Sequence, residues 1–133
     1  MNPKQFLTLG GAILVLLALV GFTGVLNEKS TPFFWLDAGE NWGHLGLGAV
    51  ALAAVFVPGL NSLLAPIYRQ IVVLVGVVGV FFAIYGFAVA GGPPLNGFGV
   101  ANLENPSDNV LHLVVGAWAL WAALRPGAVA VPA

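Results

Sequence analysis

The chain has 133 residues, 59% of them hydrophobic and only 7% charged, with four basic and five acidic side chains and a net charge of −1. Soluble domains carry about 25% charged residues, so this composition excludes an ordinary soluble fold, and with no Lys/Arg patch to track a phosphate backbone it excludes nucleic-acid binding. The absence of Cys removes disulfides, thiolate metal ligands, iron–sulfur centres and Cys nucleophiles.

Residues 6–26 run without a charge, longer than the roughly 7–15-residue core of a signal peptide, and no A-x-A cleavage site follows. The stretch therefore reads as a retained first span. At about 1.5 Å per residue it crosses a hydrocarbon core of about 30 Å. Residues 27–36 form a polar-to-aromatic connection whose Pro32-Phe33-Phe34-Trp35 run suits the headgroup level. A second span, 37–57, starts at Asp37 and stops at Pro58-Gly59, and residues 61–66 are expected as a short turn. In the third span, 67–90, Arg69 and Gln70 occupy the first turn, where a long side chain reaches the headgroups. Gly91-Gly92-Pro93-Pro94 ends it, and a Gly/Asn-rich connection over 95–104 leads to the fourth span, 106–125, closed by Pro126-Gly127.

The expected fold is a single all-α membrane domain over 1–133, with four transmembrane helices arranged as two tandem hairpins. Lys4, Arg69 and Arg125 fall on one side of these spans and only Lys29 on the other. The positive-inside rule then places the N and C termini in the cytoplasm of an inner-membrane, multi-pass protein. Glu28, Asp37, Glu40, Glu104 and Asp108 collect on the outer side.

The second and fourth spans open alike. Superposing Asp37 on Asn105 brings Glu40 onto Asp108, Asn41 onto Asn109, His44 onto His112, Gly48 onto Gly116 and Ala49 onto Ala117. This internal repeat predicts a pseudo-twofold axis along the membrane normal, a known arrangement of parallel repeats. Asp37 and Asn105 are the expected helix caps. Glu40 and Asp108 sit at the third helical position, with Pro106 at the first, where its missing N–H costs nothing. Capping and the positive helix end account for both carboxylates without chemistry.

The histidines are harder to account for. Each lies about 10 Å into its helix, where an ionisable group marks a functional site unless it is paired. The i,i+4 spacing puts Glu40 beside His44 and Asp108 beside His112, so a paired, structural reading stands beside two ligand-binding ones. In the first, His44 and His112 hold a haem or chlorophyll-type pigment, with Gly48 and Gly116 leaving room for the flat ring. In the second, His44, His112, Glu40 and Asp108 hold a transition metal. No HExxH, nucleophile elbow, P-loop or dinucleotide loop appears, so the chain is read as no enzyme. The lack of a carboxylate in the inner half disfavours a pump or channel. Gly76, Gly79, Ala83 and Gly86 of the third span read as close helix contacts, and the small residues after each His do likewise.

Gly11 to Gly21 followed by Phe22, together with Asn41, His44-Leu45 and Gly48 and with Asn109, His112-Leu113 and Gly116, make the chain resemble an uncharacterised family of small four-helix bacterial integral membrane proteins, a domain of unknown function. The resemblance covers most of 5–125 and implies a four-span fold and no activity. Trp42-Gly43 departs from the Asn-x-Leu-His form that Asn109 to His112 keeps. The functional expectation is a non-catalytic accessory subunit, surrounded by lipid and by other membrane protein subunits. Cofactor binding through His44 and His112 is the alternative.

Overall fold

Helix α1 (Pro3–Phe22) begins where a reciprocal cap fixes the chain: Asn2 Oδ1 accepts the Gln5 N–H and Gln5 Oε1 accepts the Asn2 N–H, both at 2.9 Å. In the computed structural model, which describes residues 1–27, 29, 31, 33–89, 96–97, 101–102 and 106–126, this helix stops four residues short of the expected 26. Gly24 takes a φ of 74°, a left-handed conformation that glycine adopts at no steric cost and that ends helices. The Thr23 hydroxyl meanwhile donates to the Val20 carbonyl. Val25 and Leu26 continue the apolar composition but not the helix.

Helix α2 (Ala38–Phe56) and helix α3 (Pro58–Leu64) follow, then a 3-10 turn (Ala65–Ile67) and helix α4 (Tyr68–Val89). The expected loop over 61–66 is thus helical. Pro58 and Pro66 fall at first-turn positions, where a proline gives up no helical hydrogen bond. The elbow is held by Tyr68, whose hydroxyl donates to the Ala54 carbonyl at 2.5 Å and lies 2.8 Å from the Asn61 side-chain oxygen. A two-residue antiparallel pair, β1 (Asn96–Gly97) with β2 (Ala101–Asn102), adds strand to a chain expected to be wholly α. Helix α5 (Ser107–Leu124) closes the fold.

The four long helices pair as α1 with α2 and α4 with α5, each pair antiparallel. What sets their separation is glycine. A Cβ built on Gly48 would stand 2.8 Å from the Gly11 carbonyl oxygen and 2.9 Å from the Val15 nitrogen. One built on Gly116 would stand 2.9 Å from the Gly76 carbonyl oxygen and 2.7 Å from the Val80 nitrogen. Backbone therefore lies on backbone in both pairs, the arrangement that lets helices gain dispersion contacts where lipid offers no hydrophobic drive to associate.

The two pairs join mainly at one end, here the base, which holds Met1 and the start of α4. Phe6, Leu7, Val55, Tyr68, Val72 and Ala119 form a buried cluster there. Phe6 packs edge-on to Trp118 at 4.7 Å between ring centroids, and Trp118 Nε1 donates to Met1 Sδ at 3.1 Å. Arg69 Nε donates across the base to the Ala123 carbonyl at 3.1 Å. At the opposite end, the top, the Ser107 hydroxyl donates to the Phe33 carbonyl and Phe22 packs on Trp42.

Among the described residues three helical runs are long and apolar enough to cross a bilayer: Pro3–Phe22, Pro58–Val89 and Ser107–Leu124. Helix α2, expected as a span over 37–57, is not among them, because Glu40, Asn41 and His44 sit in its first two turns. Large apolar side chains such as Leu16, Leu47, Val50, Leu74 and Val114 face outward from the bundle, as they do when the solvent is lipid.

The glycine seam makes a sharp prediction. Gly48→Val drives a branched side chain into the α1 backbone and is expected to cost about 1–3 kcal/mol. Gly46→Ala, where an added Cβ meets nothing within 4 Å, should be neutral or stabilising by up to about 1 kcal/mol. Unfolding in detergent followed by circular dichroism distinguishes the two.

Candidate functional site: a polar layer at the top of the bundle

Among the described residues the buried polar or charged ones are Glu40, Asn41, Asp108 and Asn109, and all four lie in the first turns of α2 and α5. Local sequence explains the first. The Asp37 carboxylate accepts the Glu40 N–H and Glu40 Oε2 accepts the Asp37 N–H, both at 2.8 Å. Two orphan amide donors are thereby satisfied, and Glu40 is engaged in its own helix start. In α5 the helix begins at Ser107, one residue later than expected. Pro106 is the preceding half-turn residue, although its carbonyl already accepts the Val110 N–H. Asp108 is therefore at the second helical position, not the third. The expected cap Asn105 lies outside the described residues, as do Glu28 and Glu104.

The asparagines fill the space left by missing side chains on the neighbouring helix. Asn41 Oδ1 lies 1.8 Å from where a Cβ of Gly21 would be, and Asn109 Oδ1 1.8 Å from where a Cβ of Gly86 would be. Each amide oxygen thus rests on the Cα of a glycine one helix away, in reach of a weak Cα–H···O contact. Sequence reasoning missed this pairing. The signal was there: α1 carries Gly11 and then Gly21-Phe22, and α4 carries Gly76 and then Gly86-Phe87, at the same ten-residue step.

His112 is half-buried. Its Nδ1 lies 2.9 Å from the Asp108 carbonyl oxygen and 3.5 Å from Asp108 Oδ1, and its ring sits 5.8 Å from that of Phe82. His44 is also half-buried, and it is close enough to His112 for their charges to interact. His44 Nδ1 and Asp108 Oδ2 are buried with no hydrogen-bond partner among the described residues. The top therefore gathers two imidazoles and a carboxylate from two helix pairs. Such groups hold and exchange protons and take hydrogen bonds.

Gly48 and Gly116, expected to leave room for a flat ring, do not stand open on the side that faces the neighbouring helix. The α1 and α4 backbones already fill that side of each helix. Nor do His44, His112, Glu40 and Asp108 form one coordination sphere in this conformation: among the described residues no three His, Asp or Glu side chains converge to hold a metal ion. Of the tryptophans, Trp118 packs against the base cluster, whereas Trp42 is exposed at the top and Trp121 exposed near the base. Comparisons with protein families, curated sequences and solved structures found no match for this chain.

The glycine–asparagine contacts are open to a double-mutant cycle. Gly86→Ala places a methyl group onto the Asn109 amide and is expected to cost about 1–3 kcal/mol, the range for disturbing a buried polar group. Adding Asn109→Ala removes the obstruction, so the pair should cost clearly less than the sum of the two single changes. Strict additivity in detergent unfolding would show that the two residues do not touch.

Proposed function

We propose that the chain is a non-catalytic four-span protein of the inner (cytoplasmic) membrane, an accessory subunit that packs into a larger membrane assembly. The observation that carries this reading is where the polar groups go. Glu40 closes its own cap, Asn41 and Asn109 lie against glycines, Asp108 meets His112, and almost everything else on the long helices is apolar and outward-facing. A surface of that kind suits lipid and other helices.

In this reading α2 is the fourth span. Its 19 residues reach about 28 Å at 1.5 Å per residue, and its polar first turns lie level with those of α5 at the boundary of the hydrocarbon. The chain is then two copies of one hairpin about an axis normal to the membrane. Supporting this, α1 residues recur in α4 at a constant shift of 65 (Gly11 and Gly76, Val15 and Val80, Ala18 and Ala83, Gly21 and Gly86, Phe22 and Phe87). Residues of α2 recur in α5 at a shift of 68 (Asn41 and Asn109, His44 and His112, Gly48 and Gly116, Leu52 and Leu120). The equivalent residues make equivalent contacts. The base, with Lys4, Arg69 and Arg125, faces the cytoplasm by the positive-inside rule.

Two experiments test these statements. Because the chain has no Cys, single cysteines report topology without background. In intact cells Thr31→Cys should react with a membrane-impermeant maleimide and Ser62→Cys should react only after lysis; the reverse pattern inverts the topology. For the accessory role, gentle solubilisation of native membranes after cross-linking should recover the chain in a particle much larger than its own mass. A stable, colourless monomer with no companion would overturn it.

A further inference from the structure

The base carries a feature that the packing of the bundle does not use. Arg69, Gln70, Val73, Leu74, Val77 and Leu124 line an open groove between α4 and the end of α5. From Arg69 to Val77 the groove follows α4 for about 12 Å at 1.5 Å per residue. Its polar head is at the bundle end, beside the exposed Leu124, and its apolar length runs toward the middle, where Leu74 and Val77 are exposed. The Arg69 guanidinium is fixed at the head, because its Nε donates to the Ala123 carbonyl at 3.1 Å. That bond uses one of the five N–H donors of the guanidinium, and the planar group suits a phosphate through the others.

A second guanidinium stands two residues beyond Ala123. Arg125 lies over the Trp121 ring at 5.1 Å, and its Nε is buried with no acceptor among the described residues. Neither arginine has an acidic neighbour to neutralise it. No Asp or Glu occurs in residues 1–27, 41–89 or 109–126, and these segments build the base. Arg69 at the head of an apolar groove, with no acidic side chain beside it among the described residues, calls for an anion that carries its own hydrocarbon, whereas Arg125 sits over Trp121 outside the groove lining.

We propose that this groove is a binding site for an anionic phospholipid, its phosphodiester held by Arg69 and one acyl chain laid along Val73, Leu74 and Val77. Gln70 supplies an amide for the glycerol or ester oxygens. The site rests on the membrane reading of the chain but not on the accessory role. A lipid bound here also links α4 to α5 where the helix pairs meet.

Native mass spectrometry of the full chain, released from delipidated mild detergent, tests the site directly. Phosphatidylglycerol and phosphatidylcholine of identical acyl chains are titrated separately. The unaltered protein should retain one phosphatidylglycerol in preference to phosphatidylcholine. Arg69→Gln should weaken phosphatidylglycerol about fivefold, matching the ~1 kcal/mol that one surface cation contributes to attraction for anionic lipid, and Arg125→Gln, outside the groove lining, should weaken it less. Binding of phosphatidylcholine should not change, nor should Lys29→Gln, at the other end of the bundle, alter either lipid. Equal retention of the two lipids by the unaltered chain would overturn the proposal, and so would a preference that survives Arg69→Gln or that Arg125→Gln weakens as much. Full displacement of the lipid by inorganic phosphate would overturn it as well, since the groove would then read a free anion. A chain that proves soluble without detergent would fail at the earlier, membrane reading instead.

Discussion

Backbone meets backbone at two places in this molecule, Gly11 on Gly48 and Gly76 on Gly116, and the rest of the architecture follows from how close that brings the helices. Leucine against leucine would hold the axes further apart and leave the antiparallel pairs joined by side-chain tips. With no Cβ on either side, main-chain atoms gain van der Waals neighbours directly, and each such contact is small while the sum is not. In lipid that sum is the chief source of cohesion between helices. Close approach also fixes the register along each pair, which is why Asn41 arrives opposite Gly21 and Asn109 opposite Gly86.

Those asparagines represent a different balance. Burying an amide costs free energy unless it is compensated, and interhelical polar contacts in membranes contribute only about 0.6 kcal/mol on average. Two such amides, with Asp108 and His112 in contact beside them, therefore add little net stability. They do make alternative registers unfavourable, since a shift of one turn toward the bundle middle would set each amide against the methyl group of Ala18 or Ala83 instead of a glycine. Seam and amide thus divide the work: one supplies attraction, the other excludes wrong alignments.

Much of this was legible in the chain itself. The long uncharged runs and the Pro-Gly stops located the helices, and Asp37 with Glu40 announced a helix start by residue type and spacing. What stayed hidden was of two kinds. Conformation at single residues decided the end of α1 at Gly24 and the helical elbow after Pro58; composition barely registers either, because Val25, Leu26, Leu60 and Leu63 are equally apolar in or out of a helix. Partner choice decided the rest. Gly48 and Gly116 one turn below a histidine suit a cofactor slot or a helix seam equally well until the neighbouring helix is seen to occupy the space. Nothing local to Asn41 reveals Gly21 across the gap.

The uneven distribution of apolar contacts along the bundle axis has a consequence for how the molecule breathes. The base unites both helix pairs through Phe6, Tyr68, Val72 and Ala119 and pins the α3 elbow through the Tyr68 hydroxyl. The far end is joined by polar groups whose separation costs little once water reaches them. Sub-global opening therefore runs from the histidine end downward, with the Tyr68 region as hinge and the slowest-exchanging amides beneath it. Thermal fluctuations would part the two hairpins like the jaws of a clothes peg, wetting His44 and His112 well before any helix unwinds.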